Sequence, residues 1–334
     1  MPIRIIVLLS LAASAWGEHH ALPSNPKTVH WGFYDASLAP VLRIRSGDTV
    51  EIRTAMIDSP EALERAGVPG AQIEASHRAI HEQVKRSGPG PHILTGPIYV
   101  EGAEPGDTLE VGIESVTLAL PYAVNVFLPG LGVLPEDFPY QYRKMIPLDK
   151  DRMVARFAPG VDIPLRPFFG SMGVAPPDAL GRIDSAPPWV HAGNLDNKEL
   201  TAGATLFIPV HARGGLFSVG DAHAGQGNGE VSLTALETVL TGRFRFTVRR
   251  DRPTRWPFAE TSTHYMTMGF DENLDLAIKI ALREMIDFLA ARFKLSRQDA
   301  YLLASDAADF SITQLVDGKR GVHAMIAKNI FTRR

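Results

Sequence analysis

The stretch VLRIRSGDTVEIRT (Val41 to Thr54) decides the architecture of this 334-residue chain. Its apolar positions Val41/Leu42, Ile44, Val50 and Ile52 alternate on either side of a Ser-Gly-Asp turn, which reads as strand, turn, strand. The phrase returns as PIYVEGAEPGDTLEVGI (Pro97 to Ile113). It returns again as LTAGATLFIPV (Leu200 to Val210), with Ala204 where the other two have Asp. Aligned on their glycines, Gly47, Gly106 and Gly203 each precede x-Thr-(Val/Leu). Two readings stay open. The phrase is a recurrent hairpin or strand-opening element of a β sandwich or barrel, or it is a common turn that recurs by chance. The spacing is too irregular for a solenoid.

Around this phrase the chain reads as mainly β, in β-sandwich or barrel-like sheets, with a smaller C-terminal α+β portion. Residues 18–185 form an N-terminal β-rich region with a helical insertion at about 60–86, where Ala, Glu and Arg dominate. Residues 186–270 form a central β-rich region, in which FRFTV alternates clearly. Residues 271–334 carry an amphipathic helix from Asn273 to Phe293, a second helix opened by Ser296, and the closing strands FSITQLV and GVHAMI. With 45% hydrophobic residues the chain can bury a large core. A net charge of -3 gives no basic surplus for nucleic acid, so that class of partner is disfavoured.

Residues 1–17, MPIRIIVLLSLAASAWG, combine one Arg, an apolar run and small residues at Ala15 and Gly17, the pattern of a secretory signal peptide cut before Glu18. The expectation is a secreted or periplasmic protein with no membrane contact after cleavage, because the apolar run is shorter than the ~20 residues that span a bilayer. The chain has no cysteine, so any metal must be held by His, Asp, Glu or backbone oxygen.

The chemistry gathers in FSVGDAHAGQGNGEV (Phe217 to Val231). On an extended segment Asp221 and His223 point to one face and can meet one ion. The glycines after them let the chain fold back and bring Glu230 towards the same spot. A second polar group, His191 to Asp196, can meet it at the same end of a sheet. An ion held by carboxylates and imidazole can activate water and polarise a carbonyl, with a remaining carboxylate shuttling protons, a scheme suited to amide bonds. Elsewhere His77 and His81, four apart on a helix, more often read as solvated surface than as ligands. His92 at a strand start reads as core or turn packing before cleft lining. Ser171 in FFGSMGVAPP lacks the GxSxG context of a nucleophile elbow.

The segments HWGFYDASLAPVLRIRSGDTV, LTGPIYVEGAEPGDTLEV, FFGSMGVAPP, WVHAGNLDNKEL and LFSVGDAHAGQGNGEV, in this order, resemble the successive signatures of the acetamidase/formamidase family. The resemblance implies hydrolysis of short aliphatic amides to carboxylate and ammonia, on a β-rich fold with a smaller α/β part, in a homo-oligomer of two or more copies. It also implies a divalent metal, with zinc the first choice and calcium the second, on Asp196, Asp221 and His223. Glu230 then becomes the proton shuttle or a further ligand, with Asp196 and His223 beside it in the catalytic set. His30, His191, Asn194 and Gln226 are expected to bind the small amide substrate. A competing reading is a non-catalytic, cupin-like metal- or ligand-binding protein of the periplasm, and a third is structural calcium in the Asp/Asn-rich loops.

Overall fold

The computed structural model describes residues 17–332, so the expected leader, apart from Gly17, lies outside the described residues. Each repeated phrase does form a turn. Asp48 N donates to Arg45 O at 3.1 Å, Asp107 N to Glu104 O at 3.0 Å and Ala204 N to Thr201 O at 3.0 Å. The three glycines stand at φ 102°, 97° and 89°, a region closed to most side chains. Asp48 and Asp107 each take a further bond from the backbone N–H three residues back, which Ala204 cannot.

These turns do not close hairpins. Leu42–Ile44 pairs in parallel with Ile93–Val100 in an eleven-stranded sheet, whereas Thr49–Arg53 pairs with Leu240–Arg249 in a nine-stranded one. Ile93–Val100 and Thr108–Leu118 are divided between the same two sheets, and Thr205–Pro209 joins the nine-stranded sheet beside Thr108–Leu118. The turn therefore carries the chain from one sheet to the other. The hairpin reading is corrected, and the strand-opening reading holds. Alternating apolar residues look alike in both cases, because the pattern records which face is buried and not which strand lies alongside.

The two sheets face each other across one core. Ile52, Val111, Leu206, Phe244 and Phe246 on the nine-stranded side meet Ile98, Phe169, Met172, Phe217 and Val219 on the other, all buried. The rings of Phe169 and Phe244, and of Phe217 and Phe246, lie with centroids 5.1 Å apart. Burial of each such side chain contributes about 1.5–3 kcal/mol. The mainly β class with a small helical part is as the sequence indicates.

The region at 60–86 is broken into two helices, Pro60–Arg65 and Ala75–Gln83, because Gly67, Pro69 and Gly70 interrupt it. The helix Leu274–Phe293, capped by Asn273, covers the strands His264–Asp271 and Arg320–Ala327 of the nine-stranded sheet. It approaches so closely that a Cβ on Gly269 would stand 2.2 Å from Ala277 O. That sheet extension leads into the turn at Asp317, which closes one side of the site described next.

Candidate active site

The strand Phe217–His223 holds Phe217, Val219 and Ala222 in the core, so its alternation slips once between residues 219 and 222. Asp221 sits at the slip with φ 51°. The paired strand Phe168–Gly173 slips in step, with both Phe169 and Met172 in the core. The result is the expected meeting of Asp221 and His223: Oδ2 and Nε2 are 3.1 Å apart. Gly170 lies beneath them, and a Cβ there would stand 2.3 Å from Asp221 Oδ2 and 2.5 Å from Asp196 Oδ1.

Asp196 follows the strand Ala192–Asn194, which pairs with the other edge of Phe168–Gly173, and its N–H bonds to Gly170 O at 3.1 Å. Glu230 returns from the Gly-rich turn. Asp196 and Glu230 also stand at positive φ, 47° and 44°. Two carboxylates that sequence reasoning missed complete the group. Glu237 is the register partner of His223, with Oε1 3.1 Å from Nε2, and Asp317 sits in the turn between the last two strands. An acid inside the otherwise apolar ALETV was a usable signal for Glu237. Asp317 stands in an ordinary Asp-Gly turn that carries none. Ligand atoms of Asp196, Asp221 and His223, of His223, Glu230 and Glu237, and of Asp196, Glu230 and Asp317 each lie within 4.8 Å of one another.

Gln226 decides what His223 offers. Its Nε2 donates to Asp196 O at 2.8 Å, so its Oε1 faces His223 Nδ1 at 2.9 Å and accepts that proton. A cation that displaced the proton from Nε2 would then meet the lone pair of that nitrogen. Nε2 is buried and makes no well-directed hydrogen bond, although Asp221 Oδ2 and Glu237 Oε1 each stand 3.1 Å away. Asp196 Oδ1 and Asn194 Oδ1 are likewise buried without a partner. Gln226, expected at the substrate, thus serves the imidazole instead.

Burial, with Glu230, Asp317 and Asp221 nearby, holds Asp196 far above the ordinary carboxylate range. Burial with Asp317 and Glu237 does the same to Glu230. Burial lifts Asp317 to about 6 and raises Glu237. Burial opposes ionisation of Asp221 too, but the imidazoles of His223 and His92 outweigh it and keep that carboxyl low. His223 is pushed up despite burial, by Glu237 and Asp221. Carboxylates this close cannot all ionise without added positive charge. The unpartnered Asp196 Oδ1 and His223 Nε2 fit a divalent cation, and one imidazole among carboxylates is a donor set that zinc accepts.

The other expected residues divide. Asn194 joins the group, donating from Nδ2 to Asp196 Oδ2 at 2.7 Å and to Asp317 Oδ2 at 3.2 Å. His30 bonds Ser218 Oγ at 2.9 Å, and His191 lies edge-on to Tyr34 at 4.9 Å, so neither touches the carboxylates. His92 does reach the site, with Nε2 3.8 Å from Asp221 Oδ1 and Nδ1 3.0 Å from Ser185 O, against the packing role first expected of it. His77 Nε2 is occupied by Asp58 O at 2.9 Å. A cavity of about 650 Å³ beside the helix Leu274–Phe293, lined by Arg252, Trp256 and Phe258, contains none of the carboxylate group.

Fold and site together define a β-sandwich protein with a buried cluster of carboxylates around one imidazole. The chain belongs to the acetamidase/formamidase family, whose sequence profile it matches over residues 51–185 and 181–333. The crystal structure of an acetamidase from Bacillus halodurans superposes with a TM-score of 0.78 at 32% identity, covering 93% of this chain and 98% of that one. An acetamidase from Yersinia enterocolitica gives 0.80 at 27% identity, covering 97% and 96%. An acetamidase from Mycolicibacterium smegmatis is 27% identical over 201 residues, 42% of this chain and 49% of that protein. The chain spans about half the length of the curated relatives it matches. The resemblance read from the sequence is borne out.

Two predictions follow from the geometry. Gly170→Ala drives a methyl into both crossing carboxylates, so the variant should fold less stably and lose tight cation binding by at least about tenfold; unchanged zinc affinity in calorimetry would show that the carboxylates do not need this approach. In cation-free protein, Asp196, Glu230, Glu237 and Asp317 bind protons more tightly folded than unfolded, as does His223. The stability these five groups contribute is therefore lost as pH rises from about 4, the ordinary carboxylate value, through and beyond the Asp317 value of about 6, whereas His30, His77, His191 and His323, whose pKa burial lowers, contribute in the opposite sense up to about pH 6.5. Asp221 also opposes the five, but only below about pH 4. Added zinc should raise the melting temperature of chelated protein more near pH 7.5 than near pH 5, where protons already neutralise the cluster; an equal gain at both would contradict the charge assignment.

Proposed function

We propose that the chain hydrolyses the C–N bond of short linear amides, of the formamide and acetamide kind, to carboxylate and ammonia at a site holding a divalent cation, zinc before calcium. The observation that carries this is the buried Nε2 of His223, turned by Gln226 towards acidic groups that include the unpartnered Asp196 Oδ1. The names of the matched relatives, acetamidase and formamidase, agree with it.

Asp196, Asp221 and His223 would hold the cation, which would supply Lewis acidity to water and to the amide carbonyl. Glu230, kept protonated by burial and by its acidic neighbours, is placed to act as general acid. Its proton passes to the amide nitrogen as the C–N bond breaks. The attacking water gives its oxygen to the acyl carbon and its proton to Glu230, so ammonia leaves and the acid is restored. Asp221, held ionised by His223 and His92, keeps both imidazoles in place.

The test is ammonia release from formamide, acetamide, propionamide and larger amides, with and without chelator and with zinc or calcium restored. Turnover should vanish on chelation and return with one metal. His223→Ala should lower kcat/KM at least about 100-fold and lose bound metal. No ammonia from any amide, with metal still bound, would favour the binding-protein reading.

Export is part of the same proposal. Glu18 N donates to Asp48 Oδ1 at 2.7 Å, and Asp48 is only 4% exposed. Cleavage before Glu18 would turn that amide into an ammonium and the hydrogen bond into a partly buried ion pair. The exported protein should have the mass of a chain starting at Glu18, and a mass that still includes residues 1–17 would remove this part of the reading.

A further inference from the structure

We propose that the site reads a primary amide at both ends, with the Ser171–Tyr34 hydroxyl pair donating to the carbonyl oxygen and Asn194 Oδ1 accepting from the nitrogen. The proposal rests on the amide-hydrolase reading and names the side chains that give it its substrate preference.

Ser171 is one residue beyond Gly170, where the carboxylates of Asp196 and Asp221 cross, and it pairs directly with Asn194 across the two strands. Direct cross-strand partners project to the same face, so Ser171 Oγ stands beside the Asn194 side chain. That side chain directs its Nδ2 at the carboxyl groups of Asp196 and Asp317, which leaves Oδ1 as the amide atom free of them. Its Oδ1 is therefore an acceptor, and it is buried with no partner.

Ser171 Oγ is 2.9 Å from Tyr34 OH, and both residues are fully enclosed, at 0% and 1% exposure. Two hydroxyls joined by one hydrogen bond hold two protons and use one, so one O–H stays free to donate. Ser171 is not a nucleophile here. A nucleophile needs a base beside it, and its partner is a phenol that burial keeps firmly protonated. A spare donor next to a spare acceptor complements –C(=O)–NH2. An ester has no N–H and would set an oxygen against Asn194 Oδ1, and a buried polar group left unpaired is the strongest basis for rejecting an analogue.

The experiment compares kcat/KM for acetamide and methyl acetate in the zinc-loaded protein and in Ser171→Ala, Ser171→Thr and Tyr34→Phe, with metal content measured in each. Ser171→Ala should lose about 10²–10³-fold on acetamide, mostly in kcat, at full metal content, as for other donors to a developing oxyanion. Ser171→Thr should stay within about tenfold, because it keeps the hydroxyl. Tyr34→Phe should fall between the two, since it leaves Ser171 without the partner that positions it. The unaltered protein should prefer acetamide to methyl acetate by at least about 10³-fold, although the ester is intrinsically the more reactive.

Full acetamide turnover in both Ser171→Ala and Tyr34→Phe, or equal turnover of ester and amide, would overturn the proposal. Should Ser171→Ala not fold, Tyr34→Phe and the amide-to-ester ratio decide alone. Should the unaltered protein release no ammonia, calorimetric binding of acetamide separates the two claims. Binding that weakens at least about tenfold in Ser171→Ala keeps the amide-reading pair while the catalytic reading falls, and binding that is absent or unchanged removes both.

Discussion

A buried surplus of acidic groups around one imidazole is the constraint on which the rest of this structure turns. Asp196, Asp221, Glu230 and Glu237 surround His223, Asp317 stands against Asp196 and Glu230, and Gln226 accepts the proton on the opposite ring nitrogen. Like charges in low dielectric repel strongly. Several of the acids therefore hold protons until a cation replaces them. Three of the five, Asp196, Asp221 and Glu230, also occupy left-handed backbone, at a cost of about 1–3 kcal/mol each. A sandwich with a core as extensive as this one can carry that strain.

The core and the site are two faces of the same strands. Phe217, Val219 and Ala222 anchor one strand inward, and Phe169 and Met172 anchor its neighbour. The matched slip of alternation in both lets Asp221 and His223 turn away from that core together. Gly170 supplies the room in which the carboxylates cross, and Gly220 lets the chain at Ile93 approach, since a Cβ there would stand 2.5 Å from Ile93 O. That approach brings His92 to Asp221. The same sheet face carries Ser171 and Asn194, so cation-type ligands and amide-type hydrogen-bonding groups lie side by side.

Much of this was legible in the residues. The Asp-x-His pair, the glycines that return Glu230 and the polar group ending at Asp196 all pointed to one place, and the structure brings them together. Asn194 lies among them, bonded to Asp196 and Asp317. Gln226 lies in the expected neighbourhood and bonds His223 and the Asp196 carbonyl, a pairing no local pattern encodes, because a free amide at a site and an amide that orients an imidazole look alike in one dimension. His30 bonds Ser218 and His191 lies edge-on to Tyr34, beside the cluster.

By itself the amino-acid sequence determined the β class, the helix from Asn273 and the family, because these depend on local alternation, apolar periodicity and ordered motifs. Only the tertiary structure decided that the Gly-Asp turns cross between sheets, that Glu237 and Asp317 complete the acid cluster, and that His92 reaches it. Those facts rest on pairings between distant segments, such as Glu237 with His223 and the Asp317 turn with Asn194. A local pattern encodes which face of a segment is buried, but it carries no record of which remote segment buries it.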